Sequence, residues 1–162
     1  IDGLIIPDGE STTMALLLDR YQLRDPMRKR IIEGMPTWGT CAGMVLLSRR
    51  IIEEQPKPLN IIDMVVSRNA FGRQIDSFET DLFLDELGEQ PLQAIFIRAP
   101  VVVELGTNVK TLGSLPDGRV VAVQQGRHMA TAFHPELTND RRLHRQFLRI
   151  VSSSINNNPD PF

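Results

Sequence analysis

The chain has 162 residues, of which 41% are hydrophobic and 23% are charged, so it is long enough to bury the core of one domain. Its formal net charge of -2 offers no strong field for nucleic acid or for an anionic membrane. No apolar run approaches the roughly 20 residues of a membrane span. A single cysteine excludes an internal disulfide, which is typical of a reducing compartment and predicts a cytoplasmic protein.

The first part of the chain alternates short apolar strands with helices. Residues 4–6 form an apolar run that predicts a buried parallel strand, and the Pro-Asp-Gly after it ends the strand. Ser11 or Thr12 is expected to cap the helix that follows. A second helix is expected to begin with Asp25 as its cap and to end at Gly34.

The alternation continues with a strand at 36–38 and a helix at 42–50. It predicts a three-layer α/β/α fold with a mixed, mainly parallel central sheet. Farther along, β-rich segments separated by Gly, Pro or Asn predict an antiparallel extension of this sheet. These segments are residues 64–66, 94–97, 101–103, 109–112 and 120–123.

The chain closes with a strand, a helix and a polar tail. The strand is predicted at 130–133 and the helix at 140–151. Residues 152–162 are rich in Ser, Asn and Pro, so this tail is predicted to be disordered. Residues 1–151 contain no linker or internal repeat and are predicted to form a single domain.

The cysteine, Cys41, lies between two glycines in the segment Gly39-Thr40-Cys41-Ala42-Gly43. A sharp strand-to-helix turn brings backbone too close for side chains, so glycine on both sides predicts a nucleophile elbow. The beginning of the following helix would favour thiolate over thiol. By itself, the pattern also fits a buried cysteine that only fills the core.

The far end of the chain supplies the partners that a cysteine nucleophile needs. His134 and Glu136 follow the strand at 130–133, and residues two apart in an extended segment point to the same side. A base and a group that orients it complete a Cys-His-Glu triad. An isolated His-x-Glu is more often a histidine beside a surface carboxylate, but together with the elbow it favours the triad.

Five segments in the same order resemble the glutaminase subunit of pyridoxal 5′-phosphate synthase, and the resemblance covers residues 3–147. Class I glutamine amidotransferases generally share the elbow and the His-Pro-Glu, whereas the segments at 68–74 and 96–100 resemble this subfamily alone. The segments are Gly9-Glu10-Ser11-Thr12-Thr13, Gly39-Thr40-Cys41-Ala42-Gly43, Arg68-Asn69-Ala70-Phe71-Gly72-Arg73-Gln74, Phe96-Ile97-Arg98-Ala99-Pro100 and Thr131-Ala132-Phe133-His134-Pro135-Glu136-Leu137.

The resemblance implies hydrolysis of L-glutamine to glutamate and ammonia through a thioester. In that chemistry Cys41 is the nucleophile, His134 is the general base and acid, and Glu136 orients His134. The family passes ammonia to a (β/α)₈-barrel synthase subunit for pyridoxal 5′-phosphate (vitamin B6) biosynthesis. It implies a hetero-oligomeric complex in which the glutaminase is weakly active until it binds. The helix from Thr12 and the segment 68–74 are the expected docking face.

The oxyanion of that reaction needs two N–H donors already in place. Elbow geometry gives Ala42 as one, and the resemblance gives Gly9 as the other. The resemblance also implies a set of substrate-binding residues, although read alone they are turn, helix-end, surface and core positions. They are Asp8, Gly9, Glu10, Arg68, Ile97 and Arg98. No cluster of His, Cys and carboxylate has the sequence spacing of a zinc site, so neither a metal nor a cofactor is expected.

The chain departs from the family pattern in two places. The family usually has Pro-Gly-Gly-Glu-Ser-Thr where this chain has Asp8 in place of the first glycine. A positive φ there would cost about 1 kcal/mol, and the carboxylate would repel the oxyanion, so a slowed hydrolase is expected. The family also begins with a strand-helix unit before the position of Ile1, so residue 1 is not expected to be the biological start.

Three alternatives stay open at this stage. A glutaminase subunit of another amidotransferase would keep the triad but would be expected to lack the segment at 68–74. A cysteine hydrolase or peptidase could use the same elbow on other amides. A catalytically impaired regulatory subunit is the non-enzyme alternative, and Asp8 favours it.

Overall fold

The computed structural model describes residues 1–68 and 77–156. Most of the segment 68–74 and the last six residues of the tail therefore lie outside the described residues. The strands are β1 (Leu4–Ile6), β2 (Thr37–Thr40), β3 (Ser48–Ile51), β4 (Ile62–Ser67), β5 (Ser77–Leu82), β6 (Leu92–Ile97), β7 (Val101–Leu105), β8 (Lys110–Ser114), β9 (Val120–Gln125) and β10 (His128–Thr131). The helices are α1 (Ser11–Arg20), α2 (Arg24–Ile32), α3 (Ala42–Leu47) and α4 (Arg142–Asn156).

Eight of the described strands form one mixed sheet with the order β1-β2-β10-β9-β7-β4-β3, and β8 pairs with β9. Parallel pairing joins β1 to β2, β2 to β10 and β3 to β4. The pairs among β10, β9, β8, β7 and β4 are antiparallel, which confirms the predicted antiparallel extension. The mixed sheet is as predicted, although antiparallel pairs outnumber parallel ones among the described strands.

The segment 94–97 does not join this sheet, so that part of the prediction is wrong. It belongs to β6, which pairs with β5 in a separate two-stranded sheet. Phe78 of β5 lies opposite Phe96 of β6, and the two rings stack with centroids 4.5 Å apart. Such a cross-strand aromatic pair stabilises the pairing of β5 with β6.

Helices cover both faces of the main sheet, which confirms the three-layer α/β/α class. Successive residues of β2 point to opposite faces, as a strand requires. Trp38 is fully buried against α4, with its ring 5.1 Å from that of His144 and 5.8 Å from that of Phe147. Gly39 lies against the beginning of α3 on the other face.

The helix boundaries differ from the prediction at several points. Glu10 caps α1 by accepting hydrogen bonds from the N–H groups of Thr12 and Thr13, so the expected hydroxyl cap is wrong. The second helix begins at Arg24, one residue before the predicted cap, and Gly34 adopts a φ of 110° just after it. A positive φ is the geometry that ends a helix most readily at glycine.

Two further helix ends were misplaced by the sequence patterns. The helix after the elbow stops at Leu47, because residues 48–51 pair with β4 as strand β3. The last helix continues to Asn156, so disorder of residues 152–156 is wrong. Three serines lower helix propensity only slightly, and the chain has no Gly or Pro between Arg142 and Pro159 that would end the helix.

Within the described ranges, no helix is both long and apolar enough to cross a bilayer.

Candidate active site

The turn between β2 and α3 has the geometry that its flanking glycines predict. Cys41 adopts φ 48° and ψ -104°, a conformation that is uncommon for a residue with a side chain. A Cβ on Gly39 would lie less than 3.0 Å from the backbone of Gly43, and one on Gly43 would lie that close to the carbonyl of Ile6. Both positions therefore require glycine, and the turn is a nucleophile elbow.

Parallel pairing brings the cysteine and the histidine to the same edge of the sheet. In the register of β2 and β10, Thr40 lies opposite Thr131. The N–H of Cys41 donates to the carbonyl of Thr131 over 2.8 Å, and the N–H of His134 donates to the carbonyl of Ile95 over 2.9 Å. The backbone thus fixes the starting points of both side chains.

The side chains of Cys41, His134 and Glu136 form a continuous arrangement. A ring nitrogen of His134 lies within 4.8 Å of the Cys41 sulfur, and Nδ1 of His134 lies 3.0 Å from Oε1 of Glu136. His134 is only 3% exposed, and its Nε2 is buried without a hydrogen-bond partner among the described residues. When Nδ1–H donates to Glu136, Nε2 carries the lone pair that can take a proton from the thiol.

The thiol itself is held in its neutral form in this conformation. Burial raises the pKa of the Cys41 thiol, and the neighbouring carboxylate of Asp8 raises it further. The N–H of Ala42 at the beginning of α3 lowers the pKa of the thiol, as expected of a helix end, but burial and Asp8 outweigh it in this arrangement. The thiol points toward the carbonyl of Ile97, with Sγ and that oxygen 3.9 Å apart.

Asp8 occupies the region where the oxyanion is expected. Its Oδ1 accepts a hydrogen bond from the N–H of Ala42 over 3.4 Å. A carboxylate oxygen of Asp8 also lies within 4.8 Å of the Cys41 sulfur and of a ring nitrogen of His134. The donor that elbow geometry assigns to the oxyanion is thus already paired with a negatively charged group.

A cleft of about 610 Å³ opens beside the cysteine. All six residues that the sequence analysis assigns to substrate line it, together with Cys41 and Ala42. Sequence reasoning did not assign Ser11, Val45, Ser77 and Pro100 to the site, although Ser11 and Pro100 lie in two of the segments that carry the family resemblance. The lining residues are Asp8, Gly9, Glu10, Ser11, Cys41, Ala42, Val45, Arg68, Ser77, Ile97, Arg98 and Pro100.

An ion pair lies at the mouth of this cleft. Oε1 of Glu10 is 3.2 Å from Nη2 of Arg68, and Nη1 of Arg68 donates to the carbonyl of Gln55 over 2.8 Å. Hydrogen bonds from the first turn of α1, led by the N–H of Thr12, lower the pKa of Glu10 to about 2. The cleft therefore presents one fixed negative and one fixed positive side chain next to each other.

Sequence spacing also missed a cluster of potential metal ligands. Asp8, Cys41 and His134 are far apart along the chain, yet their ligand atoms all lie within 4.8 Å of one another. The expectation that no such cluster exists rested on local spacing, which cannot detect ligands that meet only through the fold.

Comparisons with known proteins agree with this geometry. Two curated relatives are called pyridoxal 5′-phosphate synthase subunit PdxT. The protein from Herpetosiphon aurantiacus is 55% identical, and the match covers 91% of this chain and 80% of that protein. The protein from Roseiflexus sp. strain RS-1 is also 55% identical, and the match covers 91% of this chain and 79% of that protein. A crystal structure of a glutamine amidotransferase superposes with a TM-score of 0.87 at 45% identity, covering 94% of this chain and 80% of the other. The model of the SNO glutamine amidotransferase family matches residues 1–153, and the chain belongs to that family.

Proposed function

We propose that this chain hydrolyses L-glutamine to L-glutamate and ammonia as the glutaminase subunit of a pyridoxal 5′-phosphate synthase. The observation that carries the proposal is the convergence of Cys41, His134 and Glu136 beside a cleft with paired acidic and basic side chains. The relatives at 55% identity, named as subunits of that synthase, support the same assignment.

In the proposed reaction, Nε2 of His134 takes the proton of the Cys41 thiol. The sulfur attacks the side-chain carboxamide carbon of glutamine and gives a tetrahedral oxyanion. His134 returns the proton to the departing amine, so ammonia leaves and a thioester remains. His134 then deprotonates a water that attacks the thioester, and glutamate is released with the thiol restored. Glu136 keeps His134 in the required tautomer through the 3.0 Å contact.

Asp8 must move before the oxyanion can form. We assign the oxyanion to the N–H groups of Ala42 and Gly9, and the carboxylate of Asp8 already accepts from the first of these. The oxyanion and the carboxylate of Asp8 would otherwise compete for that donor and repel each other. The conformation described here is therefore a resting state in the proposed cycle.

The charged ends of glutamine match the ion pair at the cleft mouth. The α-ammonium is assigned to Glu10 and the α-carboxylate to Arg68, which now compensate each other. Ile97 presents its backbone carbonyl toward the cysteine, and Arg98 continues the same cleft wall with a φ of 46°. Substrate binding would exchange one ion pair for two, at small net electrostatic cost.

Released ammonia needs a protected route, because in water it is protonated and lost to the reaction. The proposed receiver is a (β/α)₈-barrel synthase subunit in a hetero-oligomeric, cytoplasmic complex. Helix α1, which begins at the cleft residue Ser11, is the proposed docking element; Leu16 and Leu17 of this helix and Tyr21 just after it are exposed. Exposed apolar side chains close together are typical of a surface that binds another protein.

The test is glutamate release from L-glutamine, measured with and without the synthase subunit and with Cys41→Ala as the matched control. We expect turnover that rises on addition of the synthase and is absent in Cys41→Ala. Hydrolysis that persists in Cys41→Ala would overturn the assignment of the nucleophile. No hydrolysis by the wild-type chain under any condition would favour a catalytically impaired regulatory subunit. The contact between Asp8 and Ala42 is consistent with that alternative, because it occupies a donor assigned to the oxyanion.

A further inference from the structure

We propose that Asp8, Cys41 and His134 form an inhibitory Zn²⁺ site. Each offers one ligand atom, and the three atoms lie within 4.8 Å of one another at the edge of the cleft. The set combines a thiolate, an imidazole and a carboxylate, the three side-chain ligand types that zinc uses in proteins. Asp8 is essential to this idea, since a glycine at that position would leave only two ligands.

The spacing of these atoms is within reach of a tetrahedral site. With zinc-ligand distances of about 2.0 to 2.3 Å, ligand atoms around a tetrahedral ion lie roughly 3.3 to 3.7 Å apart. Separations of up to 4.8 Å therefore have to close by about 1.5 Å at most. Asp8 is exposed on a short loop, so rotation of its side chain can supply much of that movement.

The histidine is already prepared as a metal ligand. Its Nε2 is buried and has no hydrogen-bond partner among the described residues, and the residue is 3% exposed. Its Nδ1 is held by Glu136 over 3.0 Å. A carboxylate on the second ring nitrogen is the arrangement that commonly orients zinc-binding histidines and raises their basicity. An unpaired buried nitrogen costs free energy, and a metal ion would satisfy it.

Charge and ligand softness favour zinc over the hard cations. One thiolate, one carboxylate and a neutral imidazole carry a charge of -2, which a divalent ion neutralises. Sulfur and nitrogen ligands select zinc rather than Mg²⁺ or Ca²⁺, which prefer oxygen. Binding releases the thiol proton to solvent and involves no oxidation or reduction. Three protein ligands would leave the fourth tetrahedral position for a water molecule.

If the proposed function holds, bound zinc inhibits glutamine hydrolysis. The inhibition is the one part of this proposal that rests on the proposed function. Zinc would occupy the sulfur lone pair that attacks the amide and the Nε2 that accepts the proton. Binding of the ion, in contrast, depends only on the three ligands. The two ideas can therefore fail separately.

The experiment titrates the wild-type chain with zinc chloride against a chromophoric chelator, and in parallel records the absorption spectrum with Co²⁺ as a substitute ion. We expect one saturable ion per chain and a cobalt spectrum with sulfur-to-metal charge transfer and tetrahedral bands. Asp8→Asn should weaken zinc binding by at least about tenfold, as loss of metal-site groups does. Cys41→Ser and His134→Ala should abolish stoichiometric binding.

The matched control is Asp2→Asn, which removes an exposed carboxylate outside the cluster and should leave zinc affinity unchanged. Magnesium chloride at the same concentration should not compete. Equal affinity in wild type, Asp8→Asn and Cys41→Ser, or no saturable binding by the wild-type chain, would overturn the proposal. Zinc binding without glutamine hydrolysis would leave the site standing while the proposed function fails, and hydrolysis insensitive to bound zinc would refute the inhibition.

Discussion

Replacing Asp8 with glycine is expected to accelerate glutamine hydrolysis. The carboxylate now accepts from the N–H of Ala42, the donor assigned to the oxyanion, and lies within 4.8 Å of the reacting sulfur. Glycine removes both the competing acceptor and the negative charge. Asp8 is not among the residues with a positive φ, so no relief of backbone strain is added to these two effects.

The size of the effect can be worked out from the geometry. At 4.8 Å, the upper limit of the separation between the Asp8 carboxylate and the sulfur, two unit charges repel by about 0.9 kcal/mol in bulk water and by about 3.5 kcal/mol at an effective dielectric constant near 20. Asp8 is exposed and the cleft is open, so the lower part of this range applies. The 3.4 Å hydrogen bond to Ala42 is long and adds at most about 1 kcal/mol. A total of about 1 to 2 kcal/mol corresponds to roughly a five- to thirtyfold rise in kcat/KM.

The assay is steady-state glutamate release by wild type, Asp8→Gly and Asp8→Asn with saturating synthase subunit. Asparagine retains the shape of aspartate without its charge, so it should recover only the electrostatic part of the gain. A second readout is alkylation of Cys41 as a function of pH. Burial and Asp8 both raise the pKa of that thiol, so Asp8→Gly should move the alkylation profile to lower pH.

Two results would contradict this prediction: an Asp8→Gly variant that is no faster than wild type, or an Asp8→Asn variant that gives the whole gain of glycine with an unchanged alkylation profile. The first result would mean that Asp8 leaves the oxyanion region at no cost. The second would mean that its charge does not act on the cysteine.

Three further changes test other parts of the structure. Gly43→Ala places a Cβ less than 3.0 Å from the carbonyl of Ile6, so it should lower the free energy of unfolding, measured by chemical denaturation, by at least about 3 kcal/mol. The control Gly118→Ala has open space around the new Cβ but a φ of 87°, and should lower it by about 1 kcal/mol. Equal losses of stability in the two variants would contradict the packing of the elbow. Glu136→Gln should lower kcat at least about tenfold with little change in KM, and an unchanged kcat would exclude an orienting role. Glu10→Gln should lower the free energy of unfolding by about 1 kcal/mol, because the helix cap is lost. Folding depresses the pKa of Glu10 from 4.5 to about 2, so the difference in unfolding free energy between wild type and variant should be full above pH 4.5 and vanish as the pH falls toward 2. A difference that survives at pH 2 would show that the charge of Glu10 is not its source.

The parts of the fold that local chemistry determines were predictable from the sequence. The elbow could be predicted because two glycines flank a cysteine between an apolar strand and a helix, and both prove to lie where a Cβ would collide with backbone. The meeting of Cys41 and His134 could be predicted because both follow strands that end at the same edge. The strand predicted at 130–133 exists but lies two residues earlier, since β10 spans His128–Thr131.

What sequence patterns could not reveal depends on contacts between distant segments. Residues 48–50 have no local signal that ends a helix, and they become a strand only because β4 lies beside them. The segment 94–97 is as apolar as a central strand, yet it pairs with β5 in a separate sheet, where Phe96 stacks on Phe78. The approach of Asp8 to Cys41 and His134 is likewise a property of the folded chain, because three loops from different elements create it.

The central claim is that Cys41, activated by His134, attacks the side-chain carbonyl of glutamine. The most direct measurement is mass spectrometry of the chain after treatment with a chloroketone analogue of L-glutamine, with the synthase subunit present. The account predicts a single adduct on Cys41 that forms more slowly when L-glutamine is added and is strongly reduced in His134→Ala. An unmodified Cys41, or labelling that neither L-glutamine nor His134→Ala affects, would contradict it.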